Sequence, residues 1–349
     1  MTEFVCDWWR AIQQEDYKKA AQFWLNTPKT LAYAFSSKFG NMPGFYVEQI
    51  VGDKSRSIYR IKKKGGDPIL DVGYKYNDGF PGLVSPHSVT RAMISRDWFQ
   101  WQYENMTFHV EDKKTFNDSV KYRIIDSAKR IISFTGGTVP HLNYYVPSKH
   151  TLEKFHAIES QATKKLSHRR WSWLDPFGGD IVSRDPTDIH ELAHGFANNF
   201  DGWPPLTIRE GFAECFCTTY DWKQWTTLNQ YPELSRVWGS DPPPFVKGWY
   251  TASALLVAII FIYLGRDNFH LFWNTLSPNA AIHDLANQLE MTIPELEYWY
   301  EAWCQKSRDF ICKESMRGLL TWANSQEIKS WLIKYRKVND ADTLSFGHK

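Results

Sequence analysis

Net charge, paired cysteines, repeats and long apolar runs are all scarce in this sequence. Forty-one Lys and Arg stand against 39 Asp and Glu in 349 residues, leaving a formal charge of +2. With no strong field of either sign, neither nucleic acid nor an anionic membrane is indicated as a partner. The five cysteines, Cys6, Cys215, Cys217, Cys304 and Cys312, are odd in number and scattered. They suggest no disulfide framework, and no CxxC pair offers a thiolate zinc site. The first residues lack a basic start followed by an apolar run, so no secretory leader is expected and a cytoplasmic location is. The longest apolar run, Ala252 to Leu264, is interrupted by Ser253 and Tyr263. It falls short of the ~20 residues that span a bilayer and reads as a buried helix. Aromatics are plentiful: 17 Trp, 17 Tyr and 22 Phe are enough for large cores.

At about 150 residues per domain, the length predicts two or three units. The patterning predicts an α+β chain in three parts, with residues 1–115 as a small α+β domain, 116–225 as a catalytic subdomain and 226–349 as a helical closing subdomain. Residues 4 to 25 carry apolar positions at three- and four-residue intervals, a helix pair broken near Glu15-Asp16. Arg56 to Ile61 and Ile69 to Tyr76 alternate like strands around the turn Lys64-Gly65-Gly66-Asp67, and Asn77-Asp78-Gly79 turns again. Asn117 to Ile132 and Thr151 to Leu166 have helical periods, with a buried strand at Leu142 to Pro147 between them. Pro232, Asp241 and Pro242 to Pro244 predict a loop region over 226–248, able to wall a cleft. Helices follow, including Arg317 to Ile333 and one opened by the capping box Thr292-Ile293-Pro294-Glu295. Residues 339–349 read as a tail.

The chemistry concentrates in His190-Glu191-Leu192-Ala193-His194 and Ile208-Arg209-Glu210-Gly211-Phe212-Ala213-Glu214. Residues four apart share a helix face, so His190 and His194 can aim two imidazoles at one metal ion. Glu191, between them, is placed to take a proton from the attacking water. With 11 His in the chain, an accidental His-Glu-x-x-His has odds of roughly 2 per cent. Asp185, Pro186 and Asp188 read as the start of the histidine helix, with Asp185 as N-cap. Thr207 to Glu210 matches a capping box, which gives Glu210 a structural alternative to ligation. Two histidines leave a catalytic zinc one protein ligand short, and Glu210, sixteen residues beyond His194, is the candidate third. Glu214 is then placed to orient a ligand histidine. Cys215 and Cys217 read as small core residues. His141, His150, His156 and His168 lack paired spacing and read as ordinary histidines.

These two runs resemble the gluzincin zinc metallopeptidases of the peptidase MA-like superfamily, whose third ligand is a glutamate on a Glu-Gly-x-Ala-Glu-type helix. The His194-to-Glu210 interval is shorter than in the M1 aminopeptidases, and there is no Gly-x-Met-Glu-Asn run to hold a substrate's amino terminus. The resemblance extends over roughly 117–312, through Trp249-Tyr250-Thr251-Ala252-Ser253 and Met291-Thr292-Ile293-Pro294-Glu295-Leu296. It implies a thermolysin-like zincin domain, one Zn2+ per chain held by His190, His194 and Glu210, and a peptide or protein substrate. It further implies Glu191 as general base, Tyr250 as hydrogen-bond donor to the oxyanion, and Gly178, Gly179, Asp180 and Ile181 as the edge strand on which a peptide lies. Endopeptidase is favoured over aminopeptidase. The start, with Ala11 to Trp24 leading into strands, resembles cone-shaped NTF2-like domains. Two alternatives stay open: a structural or inactive metal site in a binding module, and a zinc hydrolase of non-peptide amides or esters. Oligomeric state is not legible in the sequence.

Overall fold

The computed structural model describes residues 2–39, 44–77, 80–162, 172–198, 200–217, 231–238, 246–313 and 319–332. The fold is α+β, and the chain divides into two compact units, Met1–Gly202 and Trp203–Lys349.

The first unit opens with α1 (Thr2–Gln13), α2 (Tyr17–Gln22) and α3 (Lys29–Ser36). The break expected at Glu15-Asp16 is present: Glu15 takes a positive φ of 57°, and Asp16 caps α2 by accepting from Lys19 N. The strands β1 (Phe45–Gly52), β2 (Arg56–Lys63), β3 (Pro68–Asn77) and β4 (Phe80–Val84) form an antiparallel sheet in sequential order. The β2–β3 hairpin closes at the expected glycine turn, with Lys63 N donating to Asp67 O at 2.9 Å. The turn at Asp78-Gly79 lies outside the described residues. Val5, Trp8, Trp9 and Ile12 recur along one face of α1, and that face is fully buried with Trp24, Tyr59 and Ile61. Trp8 and Trp24 meet edge to face at 5.6 Å.

After α4 (Pro86–Ile94), a second sheet is built from β5 (Phe99–Tyr103), β6 (Met106–Val110), β7 (Leu142–Val146), β8 (Ser172–Asp175) and β9 (Asp180–Ser183), in the order β5-β6-β7-β9-β8. The β6–β7 and β7–β9 pairs are parallel, and the two outer pairs are antiparallel. Parallel neighbours need crossovers. These are α5 (Asp118–Thr135), capped by Asn117 and ended by Gly136 at φ 67°, and α6 (Lys149–Ala162). A boundary at residue 115 would cut this sheet between β6 and β7, so the expected N-terminal domain 1–115 is not a separate unit. The helix α7 (Ile189–Ala197) closes the unit.

In the second unit every described element is a helix: α8 (Leu206–Glu214), α9 (Leu234–Val237), α10 (Trp249–Thr275), α11 (Ile282–Gln288), α12 (Ile293–Lys313) and α13 (Leu319–Ala323). A Cβ added at Gly211 would stand 2.3 Å from Ser253 O, so α8 and α10 touch backbone to backbone. The expected boundary at 225 would separate those two helices, and the division falls instead between 202 and 203. By length and composition α10 could cross a membrane, but Thr251 to Ile260 are buried in the protein. At Gly265 the backbone leaves helical geometry (φ 73°, ψ 168°), so the straight apolar stretch reaches only about 24 Å at 1.5 Å per residue. The capping box at Thr292 is present: Thr292 N donates to Glu295 Oε2 at 2.7 Å, and Glu295 N to Thr292 Oγ1 at 3.3 Å. The helix expected over Arg317–Ile333 is interrupted at 324–325. Most of the 226–248 loop and all of the 339–349 tail lie outside the described residues.

A buried ionic cluster ties the two sheets of the first unit together. Asp180 on β9 is fully buried and accepts from Arg91 on α4 at 3.1 Å and from Asn143 Nδ2 on β7 at 3.1 Å. Lys75 Nζ on β3 lies 3.7 Å from its Oδ1. Arg91 also pairs with Asp175, and Asp175 accepts from Ser85 Oγ. Burial alone would raise the Asp180 pKa, but Lys75 and Arg91 outweigh it and hold the carboxyl below its ordinary value. Removing one partner of such a set leaves charge uncompensated in the interior, so Asp180→Asn should cost about 3–5 kcal/mol. Because the folded pKa is depressed, this stabilisation is complete above the ordinary aspartate pKa of about 4 and is lost as the pH falls toward the folded value. Denaturant titrations of wild type and Asp180→Asn should therefore differ most near neutral pH and converge in acid.

Candidate metal centre

Asp188 sets where the histidines begin. Its Oδ1 accepts from Glu191 N at 3.3 Å and its Oδ2 from Ser183 Oγ at 3.1 Å, so the N-cap of α7 is tied to the end of β9. The helix therefore starts at Ile189, three residues later than an Asp185 cap would place it. Asp185 closes a turn of its own, accepting from the N and Oγ1 of Thr187 at 2.8 Å each. His190 falls in the first turn and His194 in the second. Leu192, Ala193 and Phe196 are buried, and a Cβ on Gly195 would stand 2.7 Å from Leu142 Cδ1 and 2.9 Å from Ile181 Cδ1. Glycine at this point lets α7 lie close on the sheet.

The two imidazoles converge. Their Nε2 atoms are 3.1 Å apart, with ring planes at 81°. Two nitrogens each 2.0–2.1 Å from a tetrahedral ion would sit about 3.3 Å apart, so the spacing fits two ligands of one metal ion. Glu191 is 7% exposed. A carboxylate sequestered this far from water is well suited to proton transfer in a dry site.

The helix α8 starts behind Pro205, with Leu206 as its first residue and no side-chain cap. Thr207 is thus inside the helix, and its hydroxyl donates to Val237 O at 2.7 Å. Glu210 lies two residues beyond the N3 position, now held by Ile208, so it does not close the capping box the sequence offered. Beside it, the Arg209 guanidinium covers the Trp203 ring at 4.1 Å, and its Nε donates to Pro204 O at 3.0 Å. Burial pulls the Arg209 pKa down to about 10, opposed by the Glu210 charge. Glu214 is fully buried, with Cys217 Sγ 3.5 Å from its Oε2.

Among the described residues, two groups offer ligand atoms that all lie within 4.8 Å of one another: His190, His194 and Glu210, and His190, Glu214 and Cys217. Either could hold a metal ion. The first is the set expected from the motif. The second includes a cysteine that reads from sequence as core packing, since a Cys three residues past Glu214 matches no paired-thiolate spacing. Cys215 does behave as a core residue, its thiol donating to Ala254 O and its pKa pushed well up by burial.

Tyr250 is the second residue of α10, partly buried, with its ring 5.1 Å from Trp249. The expected substrate strand requires correction. Gly178 (φ 128°) and Gly179 (φ 66°) form the turn between β8 and β9, and β9 is hydrogen-bonded on both sides, to β7 and β8. Asp180 is consumed by its ion pairs and Ile181 is fully buried. None of the four can receive a peptide strand, because no main-chain edge is left there. Among the described residues, the edge strand on this side of the sheet is β8.

No protein-family model, curated protein or solved structure matches the chain. Cobalt substitution distinguishes the two donor groups. Ligation by Cys217 gives an intense thiolate-to-cobalt charge-transfer band, and the His190, His194 and Glu210 set gives none. We expect no such band and unchanged metal content in Cys217→Ser. His194→Ala should lower divalent-metal affinity by more than the 10- to 100-fold typical of groups that only orient a ligand.

Proposed function

We propose that this chain is a gluzincin-type zinc peptidase that cleaves internal peptide bonds. The observation that carries the reading is the convergence of His190 and His194 Nε2 at 3.1 Å with a Glu210 carboxylate oxygen inside the same 4.8 Å group. His190, His194 and Glu210 hold the zinc. When bound, zinc supplies a Lewis acid that polarises the scissile carbonyl and makes water acidic enough to attack near neutral pH. Glu191 takes the proton from the attacking water and hands it to the leaving amine nitrogen. Tyr250 donates its hydroxyl to the oxyanion, and Glu214 holds a ligand histidine in orientation. A peptide adds to β8, the edge strand among the described residues, by main-chain pairing.

The test is a peptide-library digest by the purified, zinc-loaded protein, with products read by mass spectrometry. Glu191→Gln should keep its zinc and lose about 10²- to 10⁴-fold in rate. Full activity with full metal in that variant would end the proposed mechanism. A digest that leaves every peptide intact while amides or esters are cleaved would move the substrate class. Tyr250→Phe should lower kcat about 30- to 1000-fold with KM little changed, the signature of a donor used only in the transition state.

A further inference from the structure

His190 takes part in a second convergence of donors, and this one includes sulfur. His190, Glu214 and Cys217 place one nitrogen, one oxygen and one sulfur within 4.8 Å of one another, and all three residues are buried. Cys217 Sγ lies 3.5 Å from Glu214 Oε2. Two ligands of one tetrahedral ion, with bonds of about 2.3 Å to sulfur and about 2.1 Å to oxygen, stand about 3.6 Å apart. Thiol and carboxylate therefore already have the spacing of two ligands. His190 and Cys217 each keep 9% exposure and Glu214 keeps none, so an ion enters past the imidazole and the thiol. Cys215, two residues earlier, spends its thiol on Ala254 O at 3.3 Å, which makes the approach of sulfur to carboxylate particular to Cys217.

A proton separates this group from His190, His194 and Glu210. Two neutral imidazoles and a carboxylate take a cation as they stand, whereas a thiol must first give up its hydrogen. Only an ion that gains strongly from sulfur makes up that cost, and soft ions gain most. Because His190 belongs to both groups, an ion in one deprives the other of a ligand.

We propose that His190, Glu214 and Cys217 form a site for a soft, thiolate-seeking cation of the cadmium type, and that such an ion expels zinc from His190, His194 and Glu210. As the sulfur–metal bond forms, the thiol proton passes to solvent and zinc leaves as the hydrated ion, with nothing oxidised or reduced. Zinc at His190, His194 and Glu210 rests on the proposed function; peptide cleavage is not required. Cobalt, a harder ion than cadmium, stays with the imidazoles, in keeping with the absence of a thiolate-to-cobalt band.

Cadmium titration of the full zinc-loaded chain tests this, with ultraviolet absorption reading the thiolate-to-cadmium band and elemental analysis after gel filtration reading the zinc retained. Wild type should develop the band and lose one zinc per cadmium bound. Cys217→Ser should keep its zinc, show only the residual band of the other cysteines, and bind cadmium more weakly by more than the 10- to 100-fold typical of groups that only orient a ligand. His194→Ala, which loses a zinc ligand but none of the three donors, should still develop the band. The proposal is overturned if wild type gives no band, if Cys217→Ser gives the same band as wild type, or if cadmium binds Cys217 while zinc stays in place. A wild-type chain that takes up no zinc counts against the peptidase reading, and the band in metal-free protein then decides the thiolate site on its own.

Discussion

The carboxylate of Asp180 is the constraint from which most of the first unit follows. A charge with no exposure is tolerable only when opposite charges and donors surround it, and the groups that do so come from three other elements. Arg91 arrives on α4, Lys75 on β3 and Asn143 on β7. Satisfying one buried charge therefore fixes the four-stranded sheet against the five-stranded one. It also fixes β9, whose Ser183 holds Asp188, whose carboxylate begins α7. The position of His190 in the first turn of its helix is a consequence several residues removed from that ion cluster.

The same carboxylate reaches in a second direction. By claiming the amide nitrogen of Asn143 it turns the amide oxygen toward His109 and so decides which imidazole nitrogen carries hydrogen. One buried acid thus acts on both the capped helix and the His109 ring.

The second unit is organised by closeness rather than by charge. Gly211 lets α8 lie against the Ser253 carbonyl of α10, and Trp303 Nε1 on α12 donates to Leu255 O of the same helix. The buried stretch Thr251 to Ile260 is nearly all small or aliphatic, as a helix surrounded by other helices must be. The backbone departs from helical geometry at Gly265, beyond that buried stretch.

The sequence by itself determined the local elements and the donor chemistry. The paired strands around Lys64 to Asp67, the α1 face of Trp8, Trp9 and Ile12, the Thr292 capping box and the convergence of His190 with His194 all follow from periods of two and 3.6 and from turn residues. Such rules act within a dozen residues. What lay beyond that reach was decided by the tertiary structure. Strand order was one such matter: Gly178 to Ile181 look like a free extended segment until β7 and β8 close over both sides of β9. Helix starts were another, because Ser183 chose Asp188 over Asp185, and because Val237 O drew Thr207 into a helix it was expected to cap. The unit boundaries were a third, since β6 pairs with β7 across more than thirty residues of chain and Gly211 of α8 lies against Ser253 O of α10. Cys217 beside Glu214 belongs to the same class. Hydrogen-bond edges, buried charges and ligand groups are satisfied by whatever is near in space, and only the folded chain says what is near.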